Sequence, residues 1–336
     1  MNILITGGIG FIGCHTYVAL RERFPEAQLV IVDNLSNSTS KTIKNLGDIV
    51  REPILFHQVD ICGERALEAL FYHYQFDSVI HFAGFKAVGE SVTNPLKYYS
   101  NNITSTLNLI KYCLQYNVNK FVFSSSATVY GDGNSPLMET HALLPASNPY
   151  GDTKAICERM LMAVANANPQ FGVSLLRYFN PVGAHESGLI GEAPNGTPNN
   201  LMPYITKVAK GEYPKLHVFG GDYPTIDGTG IRDYIHVMDL AEGHVAALEH
   251  LSPGAHVYNL GTGTGTSVLQ LIQTFEKVND KVIPYEIVER RPGDLATVYA
   301  DTSKAARELN WQAKRTLEDM CLDAWNFEKN YAFIPH

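Results

Sequence analysis

Short apolar runs alternate with longer mixed stretches along the first half of the chain. Residues 3–6, 29–32, 54–59, 78–82 and 121–124 are rich in Val, Ile and Phe. Continuous apolar runs of this length mark strands buried on both faces. The intervening segments are long enough for crossover helices, among them 14–23, 96–116 and 155–167. This grammar predicts an α/β fold of Rossmann type, a doubly wound parallel sheet with helices on both faces. A sixth strand is expected over 174–178. Residues 181–200 break the rhythm, and their Pro, Gly and Asn content predicts a long irregular loop. Shorter elements follow: helices over 202–210, 237–251 and 317–331, and strands over 216–219 and 257–260. The expected division is a main sheet domain over 1–180 and a smaller C-terminal lobe over 181–336. The 237–251 helix and 257–260 strand are free in this reading to return to the main sheet. A lobe of this kind packs against the carboxyl ends of the strands, where open α/β sheets bind ligands.

Composition narrows the function classes. The chain has 336 residues, 45% hydrophobic and 18% charged, the balance of an ordinary globular protein. A net charge of −8 with no Lys/Arg stripe gives no footprint for nucleic acid. Five scattered cysteines form no CxxC or metal-ligand spacing, so no metal is expected. They read as reduced thiols of a cytoplasmic protein. The first strand starts at residue 2 with no charged segment and cleavage site before it, and no run of 18 apolar residues occurs. Neither a secretory signal nor a membrane span is expected.

The first strand leads into Gly7-Gly8-Ile9-Gly10-Phe11-Ile12-Gly13 and then a helix. Read as GxxGxxG, Gly7, Gly10 and Gly13 allow a tight turn through which a pyrophosphate reaches backbone N–H groups at the helix N-terminus. Phe11 and Ile12 are expected to pack under that turn. A bland glycine turn is the alternative, and its place between strand and helix favours the dinucleotide. The second strand ends at Asp33, 20 residues beyond Gly13. A carboxylate there accepts the adenosine ribose hydroxyls and repels a 2′-phosphate, which favours NAD over NADP; the competing role for Asp33 is a turn cap. Asp60 and Ile61 follow the third strand and belong near the adenine. Phe82-Ala83-Gly84 after the fourth lets backbone pass close to the cofactor, with Lys86 in reach of a ribose or phosphate.

Tyr150 and Lys154 form a YxxxK pair on one helix face. An ammonium beside a phenol favours the phenolate and makes the tyrosine a base nearer neutral pH. The pattern alone is common on surface helices. Here it follows Ser124-Ser125-Ser126, three hydroxyls at the carboxyl end of a buried strand, where a nicotinamide would lie. The other reading of a serine cluster is a turn.

The chain resembles the extended short-chain dehydrogenase/reductase family, and within it the enzymes that invert C4 of UDP-hexoses. The resemblance covers nearly all of its length. Its most specific segments are Ser124 to Gly131, Asn148-Pro149-Tyr150-Gly151, Arg177-Tyr178-Phe179-Asn180-Pro181 and Asn199-Asn200-Leu201-Met202-Pro203-Tyr204. Further along stand Asp227-Gly228-Thr229-Gly230, Arg232-Asp233-Tyr234-Ile235-His236-Val237 and Arg290-Arg291-Pro292-Gly293-Asp294. The resemblance implies that Tyr150 takes the 4-hydroxyl proton and Lys154 holds the nicotinamide ribose. Ser126 would bond the reacting hydroxyl and relay its proton. It adds Asn34, Asn37, Asn101 and Tyr178 to the NAD contacts. Asn180, Asn200, Leu201 and Tyr234 would meet the diphosphate and sugar. Phe219 would line the uracil, Arg232 and Arg291 would clamp the pyrophosphate, and Asp294 would take the uridine ribose. A homodimer through 96–116 and 155–167 is implied in the same way.

Three neighbouring activities are weighed against this. A nucleotide-sugar 4,6-dehydratase of the same family uses an acidic pair after the strand-five hydroxyl residue, where this chain has Ala127 and Thr128. A dehydrogenase needs cofactor exchange, and a non-catalytic NAD sensor needs no Tyr–Lys pair. The chain also departs from the family pattern in detail. Val298, four past Asp294, stands where a bulky residue closes the hexose C2 pocket, so N-acetylated sugars are expected to fit. The loop 132–147 is one residue short, and Ile9 replaces a frequent alanine. Neither change is expected to disturb the chemistry.

Overall fold

The computed structural model describes residues 1–331 apart from Asn195, Thr197 and Pro292. Pro292 of the Arg290–Asp294 motif therefore lies outside the described residues. In chain order the first half runs β1 (Asn2–Thr6), α1 (Phe11–Arg23), β2 (Gln28–Asp33), α2 (Ser40–Val50), β3 (Phe56–Gln58), α3 (Glu64–Tyr74) and β4 (Ser78–His81). Then come α4 (Val88–Thr93), α5 (Pro95–Gln115), β5 (Lys120–Ser124), a 3-10 turn (Ala127–Tyr130), α6 (Pro149–Ala167) and β6 (Gly172–Tyr178). The second half holds β7 (Asn180–Val182), α7 (Leu201–Lys210), β8 (Leu216–Phe219), β9 (Ile231–Arg232), β10 (Tyr234–His236) and α8 (Val237–Glu249). It ends with β11 (Gly254–Leu260), β12 (Thr266–Ser267), α9 (Val268–Asn279), β13 (Tyr285–Val288), β14 (Thr297–Val298), α10 (Ser303–Leu309) and α11 (Leu317–Asn330).

Seven strands form one parallel sheet in the order β11-β6-β5-β4-β1-β2-β3. Alternate residues of its central strands bury on opposite faces. Ile3, Ile5, Ile31 and Ile80 pack with Tyr17 and Leu20 of α1 and Leu240 and Val245 of α8. Leu4, Val30, Val32, Val79 and Phe121 pack with Leu67 and Phe71 of α3, Leu109 of α5 and Leu161 of α6. Both faces need apolar cover, which is why these strands read as unbroken apolar runs. The edge strand β3 is shorter than its run, because only residues 56–58 pair with β2.

β11 leaves the second half to pair with β6 over seven residues, from Gly254 opposite Gly172 to Leu260 opposite Tyr178. The rest of that half has its own core, with Ile205 of α7, Phe275 of α9 and Trp325 of α11 packed against Val182, Leu216 and Val218. Three small sheets stand above it: β10-β7, β12-β9-β14 and β13-β8. No helix among the described residues is long and apolar enough to cross a membrane. The strand order reverses at β1, with β2 and β3 to one side and β4 to β6 to the other. The crevice at that switch point is where such sheets take ligands.

Candidate active site

The glycine turn closes on itself. Gly7 has φ +68°, and a Cβ there would lie 2.6 Å from the backbone N of Ala83. A Cβ on Gly13 would lie 2.4 Å from the carbonyl oxygen of Gly7. Only glycine fits either place, and the backbone of β1's end, α1's start and the segment after β4 meet there. Gly10 is the extended N-cap of α1, so the helix begins at Phe11, three residues earlier than the sequence indicates. The first-turn N–H groups of Phe11, Ile12 and Gly13 have no acceptor within a helix, and they sit where a pyrophosphate would need donors. Ile12 packs on the core, and Phe11 lies edge-on to His15.

Asp33 combines both roles weighed for it. One oxygen accepts from Leu35 N–H at 2.8 Å and Ser38 hydroxyl at 3.1 Å, an Asx turn. The other accepts from Ile9 N–H at 3.2 Å, inside the glycine turn. Asn34 and Asn37 are exposed beside it. Asp60 caps Cys62 N–H at 2.9 Å, and Cys62 in turn reaches Asn101, so the residues after β3 form one connected patch with Ile61 buried beneath it. Gly84 is extended against Asn102, which also holds Phe85 N–H at 2.9 Å. We expect Gly13→Val to abolish NAD retention. The clash is with backbone, and losing ~1.4 kcal/mol of binding is already a tenfold loss of affinity. Absorbance of nucleotide released from denatured protein measures it.

The chemistry gathers at the end of β5. Asn148 caps α6 through Gly151 N–H at 2.9 Å, with Pro149 in the first turn, and this places Tyr150 one residue inside the helix. Tyr150, Lys154 and Ser126 are 8%, 6% and 8% exposed. The Ser126 Oγ accepts from Thr128 N–H at 3.2 Å and Thr128 hydroxyl at 2.9 Å. The Ser126 hydroxyl also acts on the phenol of Tyr150 in the direction of phenolate. Burial pushes the phenol up, while Ser126 and the charge of Lys86 pull it back. Lys154 Nζ donates to the Ser124 carbonyl at 2.6 Å and lies over the Phe123 ring. Burial brings its ammonium down to about 8. The charge of Lys86 also acts on the phenol, and Lys154 holds the strand end. The Tyr178 hydroxyl meets Ser124 Oγ.

A second cluster lies across the crevice. Asn180 opens β7 opposite Tyr234 of β10. Arg232 in β9 pairs in register with Val298 of β14. Its guanidinium bonds the carbonyls of Ile231 and Leu295, each at 2.9 Å, and approaches Asp294 at 3.7 Å. Arg291 holds Asp294 at 2.9 Å and lies over Phe219, which is 39% exposed. Two guanidinium groups, one carboxylate and a half-open aromatic face thus share one place. Asn200 is the N-cap residue of α7, with Leu201 half-buried behind it. Val298 packs on the cluster of Val129, Tyr130 and Phe179 beside the 3-10 turn. Glu192, which the sequence did not single out, ties the halves together: it accepts from Lys86 at 2.9 Å and Asn200 at 2.7 Å.

A parallel doubly wound sheet with a glycine turn, a Ser–Tyr–Lys group and a C-terminal nucleotide cluster defines a class of protein. The chain belongs to the extended short-chain dehydrogenase/reductase family. A family model described as GDP-mannose 4,6 dehydratase matches residues 4–324. Among individual proteins the chain is 54% identical over 333 residues to the UDP-glucose 4-epimerase of Bacillus subtilis, covering 98% of this chain and 97% of that protein. Its structure is similar to the UDP-glucose 4-epimerase of Stenotrophomonas maltophila with bound NAD and formylated UDP-arabinopyranose, at 47% identity and TM-score 0.95 over 98% of each chain. The Bifidobacterium longum UDP-glucose 4-epimerase in complex with NAD+ and UDP gives 48% identity and TM-score 0.94, again over 98% of each.

Proposed function

We propose that this chain interconverts UDP-galactose and UDP-glucose by reversible oxidation at C4, with NAD held through the cycle. The observation that carries the reading is the buried group of Ser126, Tyr150 and Lys154 at the end of β5, with Lys154 on the Ser124 carbonyl, together with a glycine turn and a cluster of two arginines and an aspartate. Bound NAD would supply the hydride chemistry at C4. The chain's own residues do the rest. Tyr150 takes the O4 proton, helped by Ser126 and the Lys86 charge. Lys154 spends one of its three donors on Ser124 and has two for a ribose. Arg232 and Arg291 grip the diphosphate, so the 4-keto sugar can turn about that anchor and present its second face to the same proton donor. Ala127 and Thr128 offer no carboxylic acid beside Ser126. The water elimination of a dehydratase therefore lacks its acid, despite the name of the family model.

The test is purified protein given UDP-galactose without added NAD, followed by proton NMR of the anomeric signals. Conversion is expected. No conversion even with NAD supplied would overturn the reading in favour of a dehydrogenase or a sensor.

Val298 extends the proposal to UDP-N-acetylglucosamine and UDP-N-acetylgalactosamine, since valine leaves space that a tyrosine would fill. Val298→Tyr should then cut turnover of the N-acetyl sugar about tenfold or more while UDP-galactose stays within about threefold, the range a single pocket contact commands. Equal loss for both substrates would remove Val298 from the C2 pocket. The reading also includes a cytoplasmic location and a homodimer. The dimer is supported by Leu96, Leu107 and Leu114 of α5, which are solvent-facing in the single chain.

A further inference from the structure

Three consecutive serines at the end of β5 are attached to three successive turns of α6. Ser124 is held through its carbonyl by Lys154. Ser125 donates its hydroxyl to Glu158 at 2.5 Å. Ser126 and Tyr150 are buried together, and Ser126 draws the phenol toward phenolate. Tyr150, Lys154 and Glu158 are four residues apart and share one helix face. Only the middle attachment has no assigned purpose. Glu158 is 0% exposed, and a buried carboxylate needs partners. Arg177 of β6 supplies a bidentate fork, Nε at 2.9 Å and Nη2 at 2.6 Å. The guanidinium is itself braced over the ring of Tyr130, 4.8 Å from its centroid, and Tyr130 hydroxyl donates to Asn259 of β11 at 2.6 Å.

We infer that Glu158 is a positioning residue for the reaction: through Ser125 it fixes the register of Ser124–Ser126 against α6, and so brings Ser126 and Tyr150 together. The inference rests on the epimerase reading above. The Ser125 N–H bonds the Leu176 carbonyl at 2.9 Å and holds the backbone to β6, so what the hydroxyl adds is the placement of this strand end against α6. The middle bond is made to a carboxylate locked by Arg177, so it transmits the rigidity of β6 to the catalytic serine. A displacement of about 1 Å at such a place can cost as much as a hundredfold in rate. The phenol of Tyr150 is faced by Ser126 from the strand end, Lys86 from the segment after β4, Tyr98 from α5 and Tyr178 from β6, with Lys154 one turn along its own helix. Of these, Ser126 is the one whose place the register controls.

Ser125→Ala tests this, because it removes one hydroxyl and leaves the Glu158–Arg177 pair in place. Turnover per bound NAD should fall about tenfold or more while KM stays within about threefold. Moving Ser126 away from the phenol removes an influence that lowers its proton affinity, so the rising limb of the pH–rate profile should move to higher pH. Glu158→Asp shortens the carboxylate by one methylene and withdraws it from Ser125. It should reproduce both effects, and the double variant should be no worse than either alone. Full turnover per bound NAD in Ser125→Ala with an unmoved pH profile would overturn the inference, as would losses that multiply in the double variant. Scaling to bound NAD sets unfolded protein aside. Failure of the unaltered protein to convert substrate would instead count against the epimerase reading.

Discussion

Tyr150→Phe is expected to reduce turnover of UDP-galactose by about 10²–10⁴, the usual worth of a positioned acid–base group. The change deletes one oxygen and keeps the ring. That ring is 8% exposed in the second position of α6, held by the Asn148 cap, so the fold should be unchanged. NAD should stay bound, because the proposed cradle lies in the glycine turn and at Asp33 rather than at the phenol. With UDP-sugar added, the variant should also fail to generate the nicotinamide absorbance of the reduced cofactor. Retention of more than about a tenth of the activity would move the base elsewhere, since acid–base groups of this kind contribute at least tenfold more. Ser126→Ala should be milder, because Lys86 continues to favour the phenolate.

The largest effect on stability is expected at Arg177→Met. The methionine fills similar space, but Glu158 is left at 0% exposure with Ser125 as its remaining side-chain donor. Breaking a buried pair from one side typically costs 3–5 kcal/mol, roughly half of a domain's whole margin. Urea unfolding followed by circular dichroism should show the midpoint falling with an unchanged slope. Replacing both partners, Arg177→Met with Glu158→Met, should recover most of the loss, because no uncompensated charge remains. A single-variant loss under about 1 kcal/mol would show that the carboxylate finds water or a proton instead.

What could be read from the chain follows from how each element is buried. β1, β2, β4, β5 and β6 are covered on both faces and were visible as apolar runs. Of the short ribbons only β8 was visible; β7–β10, β12–β9–β14 and β13 were not, because strands of two to four residues hold too few positions to show a period. The helix α9 had a signal that went unused: Ser267 and Gln270 form a capping box at its start. Gly7, Asp33, Tyr150 and Ser126 were legible because their chemistry depends on spacing along one strand or helix. Glu158 was present in the same spacing, four past Lys154. A carboxylate four from a lysine reads as an exposed helix pair, and only the tertiary fold turns that face inward. Glu192 and Lys86 meet from positions 106 residues apart, a pairing no local pattern records.

The return of β11 to the edge of β6 has a further consequence. The polypeptide leaves the sheet after β6, builds the second half with its own core, and comes back to lay a strand beside the one it left. A nick in the 181–200 loop would sever the backbone without freeing either piece, since the later fragment would still own the outermost strand of the earlier one. A gene cut at the same place would produce an N-terminal half with a raw sheet edge, the kind of surface that seeks another chain to pair with. The molecule is therefore divisible on paper into a cofactor half and a sugar half, yet physically it can be cleaved but not parted.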